Sequence, residues 1–498
     1  MKRVLLIAAS VGLAAPAIAQ EPQLGTDAQR ESGRVLYEAK CAHCHGITGD
    51  GVGPGTDYFR PAPRAFTSST FKFRSTLSGE LPTDDDIRRS IRDGMPYTGM
   101  PPWPSLSESE ITNLVYYIKT FSDDFSGPFG VPEEIELPSA PSMNAETIER
   151  GRQVFLENQC VDCHGDQGRG DGKSAPTLTD QWGFHIRPAD LTKRWTFRNG
   201  GTRQDIYRTF NTGLDGSPMP AYEIEPIEDR WALVDYVHSL SDDEPNYATT
   251  LIATPVASMD ETAWEGTPAA LFPIVGQVVE PGRSFYPGVN AVEARALITA
   301  DQIAIRLRWH DMVADTRGSN GPGLHVSEPW MGAPDTSGTF SDAIAIQFPT
   351  ETPEGVELPY FMFGDRSNSV DLWFADLAGP TPQHYLGNGS GALAAGGPDL
   401  GLTASFDNGA WTATFVRDRS VEGHIPFEEG TFVPIVLTVW DGFNAESGNR
   451  RGLTSWYYLY VDVADKPSPA LPMAGYGLFT LLLGVGVTFF MRKKYGTA

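Results

Sequence analysis

Cysteine is scarce. Four occur in 498 residues, at positions 41, 44, 160 and 163, which leaves no spare pair for a disulfide framework. Basic residues are short too. Lys and Arg total 38 against 63 Asp and Glu, and the formal charge of −25 argues against nucleic acid. Long apolar runs are confined to the two ends of the chain. What remains is ordinary for folded protein, with 40% apolar and 20% charged residues. The 52 Gly and 39 Pro point to loop-rich domains rather than long bundles, and the length to two to four domains.

The apolar ends differ in kind. Met1-Lys2-Arg3, an apolar run from Val4 to Ala15 and the small-x-small Ala17-Ile18-Ala19 have the layout of a secretory signal over residues 1–19. That run is too short to span a bilayer. Residues 472–491, "PMAGYGLFTLLLGVGVTFFM", hold no charge and precede Arg492-Lys493-Lys494. Their length predicts a transmembrane helix, and the basic cluster predicts a cytoplasmic tail. The expected location is the cytoplasmic (inner) membrane, single-pass, with the bulk of the chain in the periplasm.

Between the ends lies a duplication. Residues 28–122 and 145–242 each open with an amphipathic segment, "GRVLYEAKCAHCHG" or "GRQVFLENQCVDCHG". A Gly-rich loop and a Phe-Arg pair follow (Phe73-Arg74, Phe197-Arg198), then two helical patterns. Cys41 and Cys160, His45 and His164, Gly94 and Gly213, and Met100 and Met219 are all 119 positions apart. The acidic, Pro-rich residues 123–144 read as an extended linker. From 255 to 464 the apolar pattern turns to period two, as in "AIRLRW", "AIAIQF" and "WTATFV". Short runs of that kind between Gly, Pro, Asn and Asp predict an antiparallel sandwich or barrel.

The two cysteine clusters admit zinc, dithiol or haem readings. A structural zinc site takes four ligands, and neither cluster has a second Cys/His pair at zinc spacing. A redox dithiol takes a βαβ setting, which is absent from the pattern here. C-x-x-C-H is the spacing of c-type haem attachment. Two thiols one helical turn apart add to the two vinyl groups of one porphyrin, and the following imidazole reaches the iron. A sixth ligand is then needed, and each copy offers a Met before Pro, Met100 and Met219. Thioether opposite imidazole is the low-spin electron-transfer arrangement. Met95 corresponds to Leu214 in the other copy and is read as packing. His43 lies inside the attachment loop and does not easily reach the far face, His185 is an outside candidate for the second haem, and His238 reads as a surface residue. Arg74 and Arg198 are candidates for pairing with haem propionates.

With these motifs, the two units resemble class I c-type cytochrome domains. The resemblance implies two small all-α domains, each round one covalently bound haem c. The cofactor-binding residues would be Cys41, Cys44, His45 and Met100, then Cys160, Cys163, His164 and Met219, with His45, Met100, His164 and Met219 on iron. Filled axial positions mark a carrier, not an enzyme.

The third domain, through "LRWHD" (307–311), "DAIAIQFP" (342–349), "PYFMFGDRSNSVDLWFAD" (359–376) and "VLTVWDGFNAESGNRRGLTSWYYL" (436–459), resembles the haem-binding (gamma) subunit of ethylbenzene dehydrogenase. The resemblance implies a β-sandwich holding haem b between a Met and a Lys. Met362 is the candidate Met, whereas the stretch expected to hold the Lys reads Asn449-Arg450-Arg451-Gly452. Arginine is a poor iron ligand. His310, His325 and His424 are alternatives, and a third haem stays open.

The expected architecture is multidomain: two small all-α cytochrome c domains, then an all-β sandwich, then one C-terminal transmembrane helix. The expected function is electron transfer by a membrane-anchored periplasmic dihaem cytochrome in a respiratory chain. Its partners would be small periplasmic cytochromes and a quinol-oxidising complex or a molybdenum oxidoreductase. A dihaem peroxidase-like subunit and a partner-binding module with accessory haems are the rivals.

Overall fold

In a computed structural model, the described residues are 23–127, 132–276, 283–284, 287–324, 339–353, 355, 357–379, 381–464 and 470–496. The expected signal segment and His325 lie outside them. The chain divides into two compact units, the first containing residues up to Asn246, the second most of the remainder.

In the first unit the same four helices appear twice. α1 (Asp27–Lys40), α2 (Ala42–His45), α3 (Asp84–Asp93) and α4 (Glu108–Lys119) are followed by α5 (Ala145–Glu157), α6 (Val161–His164), α7 (Arg203–Thr212) and α8 (Ile227–Ser239). Local sequence sets their starts. Thr83 with Asp86 caps α3 and Thr202 with Asp205 caps α7, each a reciprocal capping box. Glycine sets how closely the helices cross. A Cβ on Gly33 of α1 would stand 2.0 Å from the Asn113 carbonyl of α4, and one on Gly151 of α5 would stand 1.9 Å from that of Ala232 in α8. Each copy closes on its own core, Tyr37, Ile111, Leu114 and Phe125 in one and Val154, Phe210, Trp231 and Val234 in the other.

Arg74 ties the copies together. It is fully buried, and its guanidinium donates to the carbonyls of Leu77, Phe71 and Thr212 and pairs with Asp215. Ser78 Oγ and the Gly79 N–H also donate to Asp215. Residues 132–143 carry neither helix nor strand, and the Ile135 N–H bonds the Ser75 carbonyl at 2.7 Å.

The second unit is a sandwich. One sheet orders Leu393–Ala395, Pro382–Gly387, Val370–Asp376, Ala343–Pro349 and the later half of Phe432–Trp440. The other takes the earlier half of that strand, then Tyr457–Val461, Thr250–Pro255, Ala291–Ile298, Gln302–His310, Ala410–Asp418 and Gly401–Asp407. Pairing is antiparallel except at Tyr457–Val461 with Thr250–Pro255 and Thr250–Pro255 with Ala291–Ile298. The strand Thr250–Pro255 precedes the residues where alternation is first visible in the sequence. Inward residues of both sheets, among them Ile305, Leu307, Ile346, Trp373, Phe415 and Val439, make one core. The chain closes with a helix, Ala470–Tyr495, whose residues 473–495 are long and apolar enough to cross a membrane.

Candidate haem sites

Each C-x-x-C-H closes a helical turn at the end of the first long helix of its copy. The His45 N–H bonds the Cys41 carbonyl at 2.9 Å, and the His164 N–H bonds that of Cys160 at 2.9 Å. The turn brings both thiols and the imidazole to one place, as the spacing requires. No disulfide joins the four cysteines. Burial pushes Cys41 and Cys160 up to about 11 and raises Cys44 and Cys163, so they stay protonated rather than acting as exposed thiolates.

The imidazoles are aimed alike. His45 Nδ1 lies 2.9 Å from the Arg64 carbonyl, and His164 Nδ1 lies 3.0 Å from the Ala189 carbonyl. A carbonyl can only accept, so in each ring Nδ1 carries the proton and Nε2 keeps its lone pair for a metal. Burial lowers the pKa of both rings, which favours the neutral form a ligand needs. Phe66 stacks on His45 at 4.6 Å. His43 is exposed, and His185 Nε2 is taken by the Ala175 carbonyl at 3.0 Å.

The methionines sit on matching loops beyond α3 and α7. Gly94 and Gly213 end those helices at φ 65° and 66°, conformations that favour glycine. The Met95 N–H then bonds the Met100 carbonyl at 3.0 Å, and the Leu214 N–H bonds that of Met219 at 3.0 Å. Thr98 and Ser217 hydroxyls brace the loops by donating to the carbonyls of Met95 and Leu214. Met219 and Cys160 pack against the same buried cluster. In the first copy Cys41 packs on the corresponding cluster, together with Trp103, three residues past Met100.

Sequence reasoning named Arg198 but missed the rest of the charge between the copies. Arg60 lies over Phe184 at 4.1 Å and Arg64 over Trp182 at 4.9 Å. Burial, with Arg64 and Arg198 adding to it against Asp180, pushes Lys72 down to about 8. Burial takes Arg64 down to about 10, opposed by Asp180 and Asp215. Arg64 Nη1 is buried without a hydrogen-bond partner among the described residues. Three cations round one buried carboxylate make a place for further anions, and haem propionates fit it. Arg198 belongs to this group. Arg74 does not, because its nitrogens are spent on carbonyls and Asp215.

The third-domain haem expectation fares differently. Met362 is buried, but its sulfur accepts from the Tyr360 hydroxyl at 3.7 Å. Arg451 is fully buried, lies 3.9 Å over the Phe363 ring and donates to the Gly448 carbonyl. Its permanent positive charge packs rather than ligates. These residues do not fit a haem b held between Met and Lys. His310 closes strand Gln302–His310, and His424 bonds Asp371 at 2.8 Å.

Residues 28–118 match the family described as cytochrome c oxidase, cbb3-type, subunit III, and residues 148–241 match cytochrome c. The chain therefore carries two cytochrome c domains, which imply covalently bound haem c and support an electron-transfer role. Among curated proteins it is similar to one of Haloferax mediterranei named as a respiratory nitrate reductase heme subunit, ORF7, at 24% identity over 44% of this chain and 69% of that protein. The Cbb3-type cytochrome c oxidase subunit FixP of Bradyrhizobium diazoefficiens is 27% identical over 42% of this chain and 61% of that protein. The chain thus spans from about three fifths to seven tenths of these relatives. A solved structure titled as a reducing HAO-like protein complex of Kuenenia stuttgartiensis has 38% identity over 45% of this chain and all of that one, at a TM-score of 0.42.

Proposed function

From two cytochrome c domains in one chain, we propose a membrane-anchored dihaem relay that passes single electrons in a respiratory chain. Cys41, Cys44, His45 and Met100 hold one haem c, and Cys160, Cys163, His164 and Met219 hold the other. Each group supplies a one-electron iron couple when bound. Around it His45 and His164 present Nε2, the methionine loops present the opposing thioether, and Arg64, Lys72 and Arg198 receive propionate charge.

The observation that carries this reading is the matched tautomer. In both copies Nδ1 is committed to a main-chain carbonyl at 2.9–3.0 Å, although the acceptors, Arg64 and Ala189, stand at different distances along the chain from their histidines. A haem iron held between His and Met would transfer electrons rather than bind substrate.

The C-terminal helix keeps the relay at a membrane surface, with the bulk of the chain in the periplasm and residues 1–19 as its export signal. The names of the relatives, subunits of a nitrate reductase and of a cbb3-type oxidase, support a place in a respiratory complex. The proposed partners are a quinol-oxidising complex or a molybdenum oxidoreductase on one side and a small periplasmic cytochrome or terminal reductase on the other.

A pyridine haemochrome assay with reduced optical spectra tests this reading. The expected result is two c haems per chain, both low-spin and inert to CO. Rapid CO binding at either haem in the wild-type protein overturns the carrier reading in favour of a reactive iron.

A further inference from the structure

The β unit holds a cluster that the electron-transfer reading does not use. Asp371 lies on strand Val370–Asp376 and His384 on the neighbouring strand Pro382–Gly387, where His384 pairs with Trp373. Paired residues share a sheet face, and so do residues two apart, so Asp371 and His384 point the same way. Trp373 belongs to the inner core, so that face looks into the sandwich. His424, in the loop after strand Ala410–Asp418, comes down on the same carboxylate.

The distances are those of a donor set. His424 Nδ1 lies 2.8 Å from both oxygens of Asp371, and His384 Nε2 lies 3.3 Å from Oδ1. One candidate ligand atom from each residue falls within 4.8 Å of the others. Protein ligands at about 2.0–2.1 Å from one metal ion stand roughly 3 Å from each other.

Hydrogen bonding accounts for only part of this arrangement. His424 can donate to Asp371. His384 is 8% exposed, yet neither of its ring nitrogens has a hydrogen-bond partner among the described residues. Its Nε2 faces Asp371 without the alignment of a hydrogen bond, and Nδ1 is held against Gly397, where a Cβ would stand 1.9 Å away. Leaving a buried ring nitrogen unpaired costs about 1–3 kcal/mol. A cation at the meeting point of the three side chains would use the lone pair that the protein leaves idle.

We propose that Asp371, His384 and His424 form a binding site for a first-row divalent cation of the zinc class. Two imidazoles and one carboxylate are borderline donors that suit such an ion better than calcium or magnesium, which prefer oxygen shells. Asp371 is fully buried while His424 is partly exposed, so the ion is reached, and its remaining coordination filled by water, from the side of the His424 loop. Arg417 Nη1, 3.8 Å from Asp371 Oδ2, is the other charge facing the site. Its positive charge moderates the affinity for the cation.

The test uses the full-length, detergent-solubilised protein with its haems in place. The chain is cleared of loose metal with a chelator and titrated with Zn²⁺. One tight equivalent per chain is expected, and zinc-edge X-ray absorption should show two imidazole nitrogens and carboxylate oxygen. His384→Ala and His424→Ala should each weaken that equivalent by about 100-fold, with c-haem content unchanged. Because His424 lies in a loop, its variant serves if His384→Ala fails to fold. No tight equivalent, an absorption spectrum without two imidazoles, or equal affinity in a folded His424→Ala protein would overturn the proposal and leave Asp371 as a hydrogen-bonding hub.

Discussion

Arg74 of the first cytochrome copy pairs with Asp215 of the second at 2.9 Å, with the guanidinium fully buried. Three carbonyls complete its donors, one of them Thr212 in the second copy. A satisfied buried charge thus helps join the copies, beside the Ser78 and Gly79 donors to Asp215 and the Arg60–Phe184 and Arg64–Trp182 contacts. Arg74→Ala leaves Asp215 without its charged partner, and breaking a buried pair costs about 3–5 kcal/mol. Thermal unfolding should show the first unit losing stability by that order, and limited proteolysis should cut faster between the copies. Arg74→Lys should recover only part of the loss, since one ammonium cannot span all four acceptors.

Met100→Ala and Met219→Ala should each open one iron. The expected outcome is one high-spin, CO-binding haem per chain, with its potential lowered, and a second haem left as in the wild type. Magnetic circular dichroism with CO titration reads both. A variant that stays fully low-spin would show that another residue supplies that ligand.

Lys72 sits among Arg64, Arg198 and Asp180. Positive charge beside a haem favours the reduced state. Lys72→Met should therefore lower at least one of the two potentials by an amount on the order of tens of millivolts. Spectroelectrochemical titration would show it, and unchanged potentials would place the propionates elsewhere.

Asp342 in the β unit is buried, and burial together with Asp441 holds its pKa up at about 7 against bonds from the Gly442 and Asp315 amides and the Trp411 indole. Its folded pKa exceeds the unfolded value of 3.8, so the folded state binds the proton more tightly between those limits. The stability of the β unit should fall as pH rises from about 4 to about 7 and then level off. Asp342→Asn should flatten that slope. Calorimetry across the window checks it, and an unchanged slope would assign the proton elsewhere.

Gly151→Ala drives a methyl to within 1.9 Å of the Ala232 carbonyl where α5 crosses α8. Forcing the two backbones apart should cost about 1–3 kcal/mol. A lower unfolding midpoint is expected, with the low-spin spectrum of the second haem lost first on heating.

The cytochrome half was largely legible because its information is local. The C-x-x-C-H turns, the Thr-x-x-Asp caps of α3 and α7 and the glycines that end those helices each lie within a few residues of what they govern. The β half was legible as a class, since alternation marks strands. It was not legible as an arrangement: the strand Thr250–Pro255 escaped the period-two pattern, and strand order is decided by contacts far apart in sequence. The expected Met and Lys ligands of a third haem turned on one position, where Arg451 lies against Phe363 instead.

By itself the sequence determined that two haem-binding units stand in register and that an apolar helix follows them, because ligand spacing and hydrophobic length are properties of short segments. Tertiary structure decided which carbonyl orients each histidine, Arg64 for one and Ala189 for the other. It also gathered Lys72 with Arg198, and Asp371 with His384 and His424. Those meetings arise only when packing closes long loops, and no periodicity in the chain records them.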